Sequence, residues 1–105
     1  MAFKAAFIAH APDADPQKHL CVIDTGKYKL FVTIVSDQDQ AITECSRLAR
    51  EEGVSSVLLC PGFTNSDIAE IDEAVGTGCS VCVARGDGPG GRIAMQAMKD
   101  AGWFD

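Results

Sequence analysis

The sequence has 105 residues, of which 47% are apolar and 23% charged, with a formal net charge of −6. This length predicts one domain, residues 1–105, and the ordinary globular composition excludes an intrinsically disordered chain. The acidic balance argues against a nucleic-acid partner, and no apolar run approaches the roughly 20 residues that span a membrane. The start of the sequence shows no secretory signal and the five cysteines are an odd number, so we expect a cytoplasmic protein with reduced thiols.

The first third of the chain predicts three strands. Residues 3–9 are almost wholly apolar, which is typical of a strand covered on both faces, and this run ends at His10. Two further apolar runs, 20–23 and 28–35, flank a turn sequence that contains Gly26. These two runs are therefore candidates for a β-hairpin.

The rest of the chain alternates helices with strands. Helices are predicted over 36–53, from Thr64 up to Gly76, and over 92–101, with strands over 55–59 and 80–84 between them. The first two helices begin with a hydroxyl residue followed three positions later by Asp, which resembles a capping box. This order predicts an α/β fold: a Rossmann-like or flavodoxin-like three-layer sandwich around a mostly parallel sheet of four or five strands.

Three chemically active side chains follow predicted strands. His10 ends the first strand, Cys60 follows the strand over 55–59, and Arg85 follows the last strand. Ligands of open α/β sheets bind beyond the carboxyl ends of the strands. If the strands are parallel, these three residues meet at one edge of the sheet.

The segment 86–91 matches the pattern G-x-G-x-x-G between a strand and a helix. Backbone N–H groups at such a helix start can bind an anion, and flanking arginines can clamp a phosphate or carboxylate. The predicted ligand-binding residues are Arg85, Gly86, Asp87, Gly88 and Arg92. A dinucleotide site is not expected, since its acidic residue would fall about 20 positions later, beyond Asp105. A tight turn into a helix is the alternative explanation of these glycines.

Two other functions stay open at this point. Cys60 stands before a helix, where a thiol can be activated, so a small thiol-dependent enzyme with Cys60 as nucleophile and His10 as base is one alternative. A half-buried structural cysteine would look the same in the sequence. The other alternative is a non-catalytic module that pairs with itself, as a homodimer, or with a partner.

No metal site is expected, and no cofactor is predicted. Cys79 and Cys82 form a C-x-x-C pattern, but residues three apart in a strand point to opposite faces and cannot share a metal. Two histidines at loose spacing do not complete a ligand set either.

The chain resembles a family of short prokaryotic proteins of unknown function. The resemblance rests on four segments, namely Phe3-Lys4-Ala5-Ala6-Phe7-Ile8-Ala9-His10-Ala11-Pro12, Gly26-Lys27-Tyr28-Lys29-Leu30-Phe31, Leu59-Cys60-Pro61-Gly62-Phe63 and Ala84-Arg85-Gly86-Asp87-Gly88-Pro89. It implies membership of that family and no particular reaction.

Overall fold

The computed structural model describes residues 1–86 and 89–105 as one α/β domain. Five strands and three helices alternate as the sequence predicts, with bounds that differ by up to three residues. They are β1 (Phe3–His10), β2 (Leu20–Asp24), β3 (Tyr28–Val35), α1 (Gln38–Glu51), β4 (Ser56–Leu59), α2 (Asn65–Val75), β5 (Ser80–Val83) and α3 (Pro89–Asp100). No helix within the described ranges is long and apolar enough to cross a membrane.

The five strands form one sheet in the order β2-β3-β1-β4-β5. β1 pairs in parallel with both β3 and β4, and β5 pairs in parallel with β4. β2 is antiparallel to β3, because the turn at Gly26 folds it back as the predicted hairpin. The sheet is therefore mixed, and the expectation of a mostly parallel sheet is corrected on this point.

Helices α1 and α2 pack on one face of the sheet and bury the core. Ile8, Leu59 and Val57 from the sheet are fully buried, as are Leu48 of α1 and Ile71 of α2. Burying side chains of this size contributes about 1.5–3 kcal/mol each relative to leaving them exposed. This packing fixes the carboxyl ends of β1 and β4 relative to the two helices.

The helix ends agree with the sequence only in part. Thr64 and Asp67 form the predicted capping box of α2, and Gly76 closes that helix with a φ of +81°. At α1 the prediction of Ser36 as cap is wrong: Asp37 caps the helix by accepting from the backbone N–H of Gln40. Ser36 instead contacts the Gln40 side chain, because two adjacent residues could both have capped this helix and the carboxylate occupies the position.

The opposite face of the sheet, here named the open face, carries the side chains that alternate with those packed under α1 and α2. Strand register assigns to it the residues Phe3, Ala5, Phe7, Ala9, Cys21, Ile23, Tyr28, Leu30, Val32, Ile34, Ser56, Leu58, Ser80 and Cys82. Ile23 is 55% exposed and Leu58 is 41% exposed. Helix α3 reaches only the carboxyl edge of this face, so the three-layer, Rossmann-like or flavodoxin-like arrangement is not confirmed.

Candidate functional site

A cavity of about 630 Å³ lies at the carboxyl edge of the sheet. Its floor is the ends of β1 and β4 with the loop after β5, and α3 forms the facing wall. The residues that line it are Ala9, His10, Cys60, Pro61, Gly62, Arg85, Gly86, Gly90, Gly91, Ala94, Met95, Met98 and Trp103. Ligand cavities in proteins commonly enclose about 300–1,000 Å³, so this one has the volume for a small molecule.

Three elements bring the predicted side chains into this cavity. His10 is the last residue of β1, Cys60 directly follows β4, and Arg85 follows β5 by two positions. Because β1, β4 and β5 are parallel neighbours in the sheet, their carboxyl ends meet at one edge. The predicted convergence of these three residues is confirmed as geometry.

The His10 imidazole stacks on the ring of Phe63, with 4.0 Å between ring centroids and 20° between planes. Burial lowers the pKa of His10 from its ordinary value of 6.5, because desolvation outweighs the opposing fields of the Asp67 and Asp37 carboxylates. The ring is therefore neutral at pH 7, with one nitrogen able to accept a proton.

His10 and Cys60 meet around Gly62. A Cβ at position 62 would lie 3.4 Å from His10 Nδ1 and 3.5 Å from Cys60 Sγ, so both side chains border the same small space. No hydrogen bond joins this thiol to this imidazole, both of which belong to the described part of the chain. The thiol and the imidazole therefore border one space without a hydrogen bond between them.

Two glycines of the 86–91 segment are explained by close packing. A Cβ on Gly86 would lie 2.5 Å from Pro61 Cβ, and a Cβ on Gly91 would lie 2.6 Å from the Gly86 carbonyl oxygen. Only glycine lets the loop after β5 and the start of α3 approach this closely. The predicted Asp87 and Gly88 lie outside the described residues, and Arg92 is exposed and does not line the cavity.

A family profile described as "Family of unknown function (DUF6506)" matches residues 3–99. The chain belongs to this family. None of the curated proteins and none of the solved structures matches the chain. The resemblance inferred from the sequence is thus confirmed at the level of a family of unknown function, while a prokaryotic origin stays an expectation.

The apolar wall of the cavity in this DUF6506 chain agrees only in part with the face that the sequence predicts for the last helix. Ala94, Met95 and Met98 of α3 line it, together with Trp103 beyond the helix end. Apolar spacing predicts one face made of Ile93, Ala94, Ala97 and Met98. Ala94 and Met98 do line the cavity, whereas Ile93 is 75% exposed and Met95 is not part of the predicted face.

A second cavity, of about 600 Å³, lies between the hairpin and α1 and was also missed. Asp37, Asp39, Glu44 and Arg47 are among its lining residues. Glu44 is buried, and its carboxylate accepts from Thr33 Oγ1 at 2.8 Å and from Arg47 Nε at 2.9 Å. These contacts satisfy the buried charge internally, which is the arrangement of a structural ion pair.

The two cysteines of the C-x-x-C pattern differ in exposure. Cys79 is buried and Cys82 is exposed, as expected for residues three apart near a strand. Among residues 1–86 and 89–105, no three His, Cys, Asp or Glu side chains are grouped so that they could hold a metal ion.

Proposed function

We propose that the cavity at the carboxyl edge of the sheet binds an anionic small molecule, a phosphate or carboxylate with an apolar portion. The observation that carries this proposal is that one arginine, Arg85, lines a cavity whose facing wall is Met95, Met98 and Trp103. Ligand sites are typically apolar with a few polar groups that fix orientation. The composition of this wall and the single cation fit that pattern.

Arg85 supplies the anion recognition. A guanidinium presents two parallel N–H donors to a phosphate or carboxylate, and such charge-assisted pairs are about twice as strong as neutral hydrogen bonds. The neutral His10 ring at the floor of the cavity adds a donor or acceptor without adding charge. The predicted contributions of Gly86, Asp87 and Gly88 remain part of this proposal.

The apolar wall selects what the anion is attached to. Methionine side chains are flexible and adapt to irregular ligand shapes, and Trp103 presents a large apolar surface with one N–H donor. A bare phosphate would leave this wall empty. The proposal therefore favours an organic anion over an inorganic one.

A thermal-shift series tests the proposal with phenyl phosphate, phenylacetate, inorganic phosphate and neutral benzyl alcohol. A ligand at 100 times its Kd stabilises a protein by about 2.7 kcal/mol, which raises Tm by several degrees for a domain of this size. We expect the two aromatic anions to raise Tm most. Arg85→Ala should abolish the rise, and Arg92→Ala, which removes the same charge outside the cavity, should retain it.

Two results would contradict anion binding at this site. One is an unchanged Tm of the wild type with every anion. The other is an equal rise in the wild type and in Arg85→Ala, since the shift would then arise elsewhere on the molecule.

The meeting of Cys60 and His10 around Gly62 favours one second candidate, a thiol-dependent enzyme. His10 would accept the thiol proton, and the Cys60 thiolate would add to a carbonyl carbon of the ligand, whose π electron pair moves to the carbonyl oxygen. Alkylation by iodoacetamide measures this reactivity, because the thiolate sulfur forms a bond to the carbon of the reagent as iodide leaves. Cys60 is half-buried, whereas Cys21 and Cys82 are exposed, so faster labelling of Cys60 than of these two in dilute protein would support catalysis. Slower labelling would exclude it.

A further inference from the structure

The open face of the sheet carries no charged residue. Its fourteen residues are apolar except for two serines and Tyr28. The other face of the same strands does carry charged residues, including Lys4 of β1 and Lys29 of β3. Phe3 and Tyr28 stack on it at one end, with ring centroids 5.6 Å apart. Exposed apolar patches larger than a few hundred Å² are rare on monomers and mark interaction sites.

The dimensions of the open face match those of a protein interface. Five strands about 4.8 Å apart and four to eight residues long give a planar footprint on the order of 500 Å². A standard interface buries roughly 800 Å² of accessible surface per partner, and the accessible surface of a pleated face exceeds its footprint. The face, apart from the carboxyl edge that α3 reaches, is therefore close to the size that a stable pair needs.

The charge distribution indicates which partner fits. Each copy carries 15 acidic and 9 basic residues, a net charge of −6, so the charged surfaces of two copies repel each other on balance. The open face is a surface on which two copies can meet without that repulsion. An isologous pair also uses the same surface twice, which suits a face that is apolar from β2 to β5.

We propose that two copies of this chain associate through their open faces, sheet against sheet. Face-to-face sheets pack about 10 Å apart, with their side chains interdigitated, and Ile23, Leu58 and Phe7 would be buried in the contact. Of the fourteen open-face residues, Ala9 alone is among the described residues that line the cavity, so the pairing does not require the proposed ligand.

Adjacent residues of β2 provide a matched pair of variants. Ile23 belongs to the open face and is 55% exposed, whereas Val22 points to the other side and is 46% exposed. In light scattering after size exclusion, we expect the wild type and Val22→Lys at twice 11.1 kDa. Ile23→Lys should elute near 11.1 kDa, because a lysine buried in the interface would have no partner charge.

Thiol labelling gives a second measurement that does not depend on any variant folding. Cys21 and Cys82 lie on β2 and β5, at opposite margins of the open face. In the wild type their alkylation should slow as protein concentration rises. A wild type that stays at 11.1 kDa from micromolar to millimolar concentration would overturn the proposal. So would slow labelling of Cys82 at every concentration, since its own α3 would then cover the face.

Discussion

Gly86 lies where the loop after β5 passes closest to the loop after β4. A methyl group here would meet Pro61 at 2.5 Å, a separation that real side chains do not adopt. We expect Gly86→Ala to lower the free energy of unfolding by about 1–3 kcal/mol, the usual cost of overpacking. Urea denaturation measures this loss.

Gly90→Ala is the matched control for that variant. It lies in α3, and a Cβ there would meet nothing within 4 Å. Alanine is favoured over glycine in a helix by about 0.5–1 kcal/mol, so this variant should be neutral or stabilising. Equal destabilisation of both variants would mean that the contact with Pro61 is not what requires glycine at position 86.

His10 makes the stability of the fold depend on pH. Its pKa in the folded chain is lower than the ordinary 6.5, so the unfolded chain binds more protons between these two values. We expect the urea midpoint to be constant between about pH 6.5 and about pH 8 and to fall as the pH drops from 6.5 toward the lowered pKa. His10→Gln should flatten that part of the fall. A fall of the same size in His10→Gln would assign it to other groups.

At the scale of elements, the capping box of α2 makes the clearest local contribution to the stability of the fold. Thr64 accepts from the Asp67 backbone N–H at 3.1 Å, and the Asp67 carboxylate accepts from the Thr64 N–H at 2.9 Å. Thr64→Ala should cost about 1 kcal/mol in a urea titration, since it removes an acceptor at the start of the helix. Ser66→Ala, in the same turn but outside the box, should cost less. The reverse order would show that capping does not anchor α2.

The elements also show where sequence reasoning succeeds and where it stops. The hairpin, the alternation of strands with helices and the meeting of His10 with Cys60 and Arg85 all follow from apolar periodicity and parallel pairing. The wall of the cavity follows only in part, because the predicted face of α3 includes the exposed Ile93 and lacks Met95. Which one faces the sheet depends on how α3 is oriented, and close packing at Gly86 and Gly91 sets that orientation.

The exposure of the open face could not be predicted from the sequence, for a related reason. β1 is apolar on both sides, and such a strand predicts cover on both faces of the sheet. Apolar residues do not reveal whether the cover comes from the same chain or from another copy. The sequence therefore predicted burial on this face but not its source.

At the scale of the whole molecule, pairing through the open face would make stability depend on concentration. Association stabilises the folded state by mass action, so the Tm of the wild type should rise as protein concentration increases. Ile23→Lys should show a Tm that is independent of concentration. Calorimetry over a hundredfold dilution measures both, and a constant wild-type Tm would count against the pair.

Helix α3 faces the sheet across the cavity, whereas α1 and α2 are packed on the core. Met95 remains 44% exposed, and the described residues of α3 contribute no fully buried side chain. Its amides should therefore exchange with deuterium sooner than those of α1, as expected for a unit that opens without global unfolding. An organic anion bound in the cavity would add packing contacts between α3 and the sheet. The amides of α3 would then exchange with deuterium on the timescale of the rest of the domain.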